Sequence, residues 1–134
     1  MIIRLEMKSD IPIYMQLRNE IVLGISKGAL KAGEPLPTVR QMAEDIGVNT
    51  MTVNKAYTIL KQEGFIETDR RRGSVVCSPS GMQEDFLEKT EQELTLLIAE
   101  ASLKGMKKEA FIQLCEKIYD EMGKNVKKYF GTEE

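Results

Sequence analysis

Histidine is missing from all 134 residues of the chain. Its absence removes the commonest general base and the commonest zinc ligand together. Cysteine occurs only at Cys77 and Cys115, far apart and without metal-ligand spacing, so both read as buried free thiols. There is no glycine-rich phosphate loop, nucleophile elbow or paired-carboxylate motif. An enzyme would have no residues to work with, and neither a metal nor a cofactor is expected. No apolar run approaches the ~20 residues of a membrane span. The opening "MIIRLEMK" is too short and too charged for a signal peptide, which makes the cytoplasm the expected compartment, with no membrane partner. Internal repeats and low-complexity tracts are also absent.

What is present is an ordinary globular balance, 42% hydrophobic and 30% charged, on a length that suits one compact domain or a small domain with an appendage. The net charge of −2 is unevenly spread. Residues 1–78 hold eleven Lys and Arg against nine Asp and Glu, a net of +2. Residues 79–134 hold eight against twelve, a net of −4. A basic half joined to an acidic half suggests that only the first meets a polyanion.

Along the chain, residues 2–10 read as a short extended lead, with Ser9 and Asp10 as candidate caps and Pro12 in the first turn of a helix. Ile13, Leu17, Ile21 and Ile25 fall at spacing four along one side of that helix. The connector "KGALKAGEPLP" breaks it. Thr38 caps a second helix, whose stripe is Val39, Met42, Ala43 and Ile46. Gly47 closes it, in a left-handed conformation that costs glycine little. Asn49 caps a third helix with the stripe Val53, Ala56, Tyr57 and Leu60, and Gly64 stops that one. Two short helices separated by so tight a turn form a helix-turn-helix, over 38–63. "FIETDRRRGSVVC", residues 65–77, then reads as a β-hairpin with a basic tip. The order predicts a winged helix.

Beyond Pro79 and Gly81 two amphipathic helices follow. Phe86, Thr90, Leu94, Leu97, Ile98 and Ala101 make the stripe of the first. Phe111, Leu114, Cys115, Ile118, Met122 and Val126 make that of the second. A two-helix hairpin cannot bury both stripes. Phe86, Leu94, Leu97, Ile98, Phe111, Leu114, Ile118 and Met122 are therefore the expected homodimer interface. The fold class expected is mainly α with a small β wing: a winged helix-turn-helix over 9–78 and a C-terminal two-helix hairpin over 79–134.

The third helix carries the chemistry. Opposite its core stripe lie Met51, Lys55, Thr58 and Gln62, flanked by Thr52 and Asn54, with Thr50 at the N-terminal end. Amides and hydroxyls pair with base edges, an apolar tip meets a thymine methyl, and lysine meets phosphate. A plain solvated helix face is the competing account, but it would carry more Glu and Lys. Arg40, on the helix before, points away from its apolar stripe and suits a phosphate; a surface pair with Glu44 is the alternative. Arg70-Arg71-Arg72 concentrates three repelling cations, which suits a polyanion, and Gly73 lets the backbone turn there. Solvated turn chemistry is the blander possibility.

In these residues the chain resembles a known family. "LPTVRQMAEDIGVNTMTVNKAYTILKQEGFIETDRRRGSVV", with "PIYMQLRNEI" and the connector G-x-L-x-x-G-x-x-L-P before it, is similar to the GntR-type winged helix of bacterial transcription regulators. The short tail resembles the YtrA-type subfamily in length and pattern. The resemblance implies a phosphate-binding arginine at Arg40, cap and first-turn contacts at Asn49, Thr50 and Thr52, and a wing tip at Arg70 to Gly73. Many members carry arginine where Thr50 and Asn54 stand, so this chain departs from the common pattern at two base-reading positions. No aminotransferase-like domain fits in its length, and no histidine-ligated metal site can exist. A homodimeric repressor is expected, binding a duplex operator with two related half-sites. The resemblance further implies control of a transporter operon. A small-molecule effector between tail and winged helix would complete the scheme. The alternative is a winged-helix protein-interaction module without DNA binding, for which a neutral or acidic wing would be the sign.

Overall fold

The computed structural model describes residues 3–77, 81 and 84–130, with side chains of the last helix as far as Met122. Its elements run α1 (Ile13–Ser26), α2 (Val39–Ile46), α3 (Thr50–Gln62), β1 (Ile66–Asp69), β2 (Gly73–Val76), α4 (Glu84–Leu103) and α5 (Lys108–Phe130). The chain falls into two compact units, one of residues 1–78 with 125–134 and the other of residues 79–124. The first holds the winged helix, and the second holds α4 with the greater part of α5.

In the first unit α3 buries its whole stripe, while α1 and α2 bury the middle of theirs and leave Ile13, Ile25, Val39 and Ile46 half-buried. Leu17 and Ile21 of α1, Met42 and Ala43 of α2, and Val53, Ala56, Tyr57 and Leu60 of α3 meet in one core. Leu30 and Leu36 from the connector and Ile66 and Val76 from the wing close it. Burying each large side chain of this kind is worth about 1.5–3 kcal/mol, which is what holds three short helices that would be marginal alone. Tyr57 is buried whole, and its phenol donates a hydrogen bond of 2.7 Å to the Pro37 carbonyl. Burial pushes that phenol far above its ordinary pKa, so it stays a neutral donor.

The helix ends follow local chemistry. Thr38 Oγ1 accepts the Gln41 amide at 3.0 Å, and Asn49 Oδ1 accepts the Thr52 amide at 2.8 Å. Gly47, at φ +73, ends α2 and its amide donates to the Ala43 carbonyl. The start of α1 differs from the expectation. Its cap position is Pro12, with no side-chain cap, and neither Ser9 nor Asp10 serves. Instead Gln16 reaches back from inside the helix. Its amide nitrogen donates to the carbonyls of Glu6 and Ile11, and its oxygen accepts the Glu6 amide. One glutamine ties the lead to the first turn, and Ser9 Oγ accepts the Ile11 amide at 3.1 Å just before the helix begins.

The wing pairs β1 and β2 antiparallel, with Ile66 opposite Val76 and Asp69 opposite Gly73. The connector is more than a link. Gly33 donates to the Val76 carbonyl, Val76 to the Glu34 carbonyl, and Leu36 to the Ser74 carbonyl. Pro35 pairs with Val75 as an isolated bridge, so the connector lies along the free edge of β2. A proline is tolerated at such an edge because the ladder asks for no N–H there.

The second unit is built differently. Residues 104–107 turn the chain between α4 and α5, with Gly105 at φ +96 and the Met106 amide donating to the Ala101 carbonyl. That is a helix stop in which only glycine sits without strain. Yet no described side chain of α4 or α5 is fully buried. Phe111, Cys115 and Met122 are half-buried, and Val126 lies outside the described side chains. The thiols are not buried either. Cys77 follows β2 and Cys115 sits on the open stripe of α5, and both are half-exposed and unbridged.

Candidate nucleic-acid interface

With Val53, Ala56, Tyr57 and Leu60 turned into the core, the outer side of α3 is fixed by helix geometry. Thr50, Met51, Asn54, Lys55, Thr58 and Gln62 are exposed there, and Thr52 is half-buried. Met51 is the extreme, 81% exposed on the first turn. An apolar side chain standing so free on an ordered helix has nothing in its own fold to touch. The helix carries no carboxylate from Thr50 to Gln62. Its first four amides point outward at the N-terminal end, and Asn49 satisfies that of Thr52.

Asn49 is thus first a cap: its side-chain oxygen is committed to the helix, and its amide nitrogen is left for a ligand. Lys55 is also positioned. Its Nζ lies 4.0 Å from the centre of the Tyr14 ring, a cation–π contact from α3 onto α1. Tyr14 was not among the residues expected at this surface, and no local pattern marks it, because the contact joins separate helices.

Arg40 is exposed on α2 and makes no ion pair with Glu44 or any other described residue. Glu63, by contrast, is held by Arg18 at 2.9 Å, with the Arg18 guanidinium also over the Phe65 ring at 5.5 Å. That pair fastens α1 to the end of α3.

At the wing tip the three arginines part company. Arg70 and Arg71 extend into solvent with no side-chain partner among the described residues. Arg72 turns back. Its Nη1 donates to the Gly33 carbonyl at 2.6 Å and its Nη2 to Asp69 Oδ2 at 3.1 Å. Asp69 is the organiser of the turn, since its Oδ1 accepts the amides of both Arg71 and Arg72. These two amide bonds, first that of Arg71, together with the Arg72 guanidinium hold the Asp69 carboxyl below the ordinary aspartate pKa. Gly73 follows at φ +78, a left-handed backbone that suits glycine alone. Asp69 was missed in the sequence, though an aspartate before a glycine-ended turn is a readable signal.

All these groups belong to the winged helix: Arg40 on α2, Asn49 to Gln62 on and before α3, and Arg70 to Gly73 on the wing. They supply cations, amides and hydroxyls, with no nucleophile–base pair. Among the described residues no group of three or more Cys, Asp or Glu could hold a metal ion, and no helix is long and apolar enough to cross a membrane.

Comparison with known proteins agrees. Residues 13–76 match the family model described as bacterial regulatory proteins, gntR family. The transcriptional repressor YtrA of Bacillus subtilis is 35% identical over 109 residues, 80% of this chain and 84% of that one. The chain belongs to the GntR family. Within that family, the solved structure of YtrA from Sulfolobus acidocaldarius is 36% identical, with 89% of this chain and 97% of that one aligned at a TM-score of 0.56. A Listeria monocytogenes structure titled a transcriptional antiterminator superposes at a TM-score of 0.83 over 91% of this chain and 92% of its own, at 27% identity. The GntR match ends at Val76, the last residue of the wing, while the YtrA alignments extend into the tail helices.

Proposed function

We propose that this GntR-family protein is a cytoplasmic, homodimeric transcriptional repressor that reads a duplex operator with two related half-sites. One observation carries the reading: the exposed side of α3 is free of carboxylates, and the cations Arg40, Arg70 and Arg71 stand unpaired on α2 and the wing. Cations left without counter-ions in a chain of net negative charge are placed for an external polyanion. Arg40 and the wing tip contact phosphate and set the docking angle. Thr50, Met51, Thr52 and Asn54 meet base edges in the major groove, and Lys55 approaches from beside Tyr14.

A three-helix unit with one wing covers few base pairs, so specificity needs a second copy. The tail provides the means. Phe86, Leu94, Leu97, Ile98, Leu114 and Ile118 are exposed on α4 and α5, an apolar surface that a partner's equivalent surface would cover. A small molecule that changed the spacing of the two recognition helices would release the operator. YtrA carries the word repressor in its name, which favours repression here.

The test is the salt dependence of binding to duplex DNA. Each phosphate contact contributes about 0.9 to the slope of log affinity against log salt. Replacing Arg70 and Arg71 with alanine together removes two contacts from each wing of the dimer and should flatten that slope by about 3.6. A slope unchanged by the double replacement removes the wing from DNA contact. A wild-type protein with no salt-dependent affinity for duplexes would favour the protein-interaction module instead.

A further inference from the structure

Arg72 belongs by sequence to the basic tip, but its side chain serves the fold. One arm of the guanidinium holds a main-chain oxygen 39 residues away, at Gly33, and the other holds the Asp69 carboxylate. From this geometry we propose that Arg72 is a positioning residue for DNA binding, clasping the wing tip to the connector so that Arg70 and Arg71 meet phosphate at a fixed angle. The inference rests on the DNA-binding reading above and deepens it.

Three physical points support it. A guanidinium is a planar fork that can bond two separate acceptors at once, which an ammonium on a flexible stem does poorly. The wing strands are only four residues each, too short to hold their tip stiff without help. The charges also divide cleanly. Asp69 neutralises Arg72, leaving Arg70 and Arg71 as the two cations presented. A carboxylate at a tip that faces phosphate works against attraction, and its presence makes sense where it builds the turn and anchors the clasp. The low pKa of Asp69 keeps it charged for both tasks.

The full-length protein and a duplex operator recovered by selection from random sequence provide the test. Arg72→Ala and Arg72→Lys should each weaken binding by a similar factor, about three- to tenfold for an ion pair this exposed, with the salt slope unchanged. Arg71→Ala, which removes one contact from each of the dimer's two wings, should instead lower the slope by about 1.8. Asp69→Asn keeps an oxygen for the turn amides but loses the clasp, so it should weaken binding too. If Arg72 were a phosphate ligand, the signs would reverse. Lysine would then substitute well, alanine would lower the slope, and Asp69→Asn would tighten binding by removing a negative charge. Any of those results overturns the proposal, as does wild-type affinity in all three variants. A normal slope for Arg71→Ala would condemn the wing's DNA contact itself, independently of the Arg72 variants. Thermal midpoints measured alongside separate loss of affinity from loss of fold.

Discussion

The winged helix and the tail carry apolar stripes of the same kind and do opposite things with them. In α3 the stripe Val53, Ala56, Tyr57 and Leu60 is wholly buried. In α4 the stripe from Phe86 to Ala101 buries no residue, and Leu97 is 52% exposed. The difference lies in the number of neighbours that the chain supplies. Around α3 stand α1, α2, the connector and the wing, enough to enclose it on every apolar side. Among the described residues the tail has two helices, and each can offer the other one face. The pattern in a sequence states that a face must be covered; the surrounding elements decide whether the same chain covers it. One half closes its stripes with its own elements, and the other leaves its described stripe residues exposed or half-buried.

The largest effect that would sharpen this contrast is in the core. Leu60→Ala removes a fully buried side chain and should cost the winged helix about 2–5 kcal/mol in urea unfolding. Leu96→Ala, at 63% exposure on α4 and away from the predicted stripe, should stay within about 0.5 kcal/mol. Similar losses at both positions would show that the tail face opposite the stripe is also an interface.

A smaller effect belongs to the wing and depends on pH. The Asp69 carboxyl titrates below its ordinary range because the folded turn stabilises its charge. Its contribution is therefore complete above the unfolded carboxylate pKa and is lost as pH falls through the lowered, folded one. Amide signals of Arg71 and Arg72 should hold steady on acidification to the ordinary carboxylate range, then shift below it. Asp69→Asn should abolish that transition. A shift centred at or above the ordinary aspartate pKa would mean that the turn is not built on this carboxylate.

Much of the winged helix was legible because its signals are local. Thr38, Gly47 and Asn49 mark helix ends through bonds reaching three or four residues, and the stripes of α1, α2 and α3 read directly as core. The parts that stayed hidden depend on closure between distant segments. Nothing near Pro35 announces that it will lie against Val75, and nothing near Arg72 announces Gly33. At the start of α1 the local capping rule points to Ser9 or Asp10, but the cap position is Pro12, and Ser9 Oγ accepts the Ile11 amide outside the helix. In the tail the stripes were readable, while Leu103, 88% exposed on α4, falls outside them. Of the site residues, exposure on α3 followed from periodicity alone. The separate roles of three adjacent arginines could emerge only once the turn was folded.

In the proposed scheme one half of the chain reads DNA as a single unit and the other half pairs two such units. Sedimentation of the full chain beside a fragment ending at Pro79 tests it most directly. The full chain should sediment as a dimer of its 15.2 kDa polypeptide, and the fragment should remain a folded monomer with greatly reduced affinity for a two-half-site operator. A fragment that stayed dimeric, or a full chain that stayed monomeric while binding its operator fully, would contradict the account.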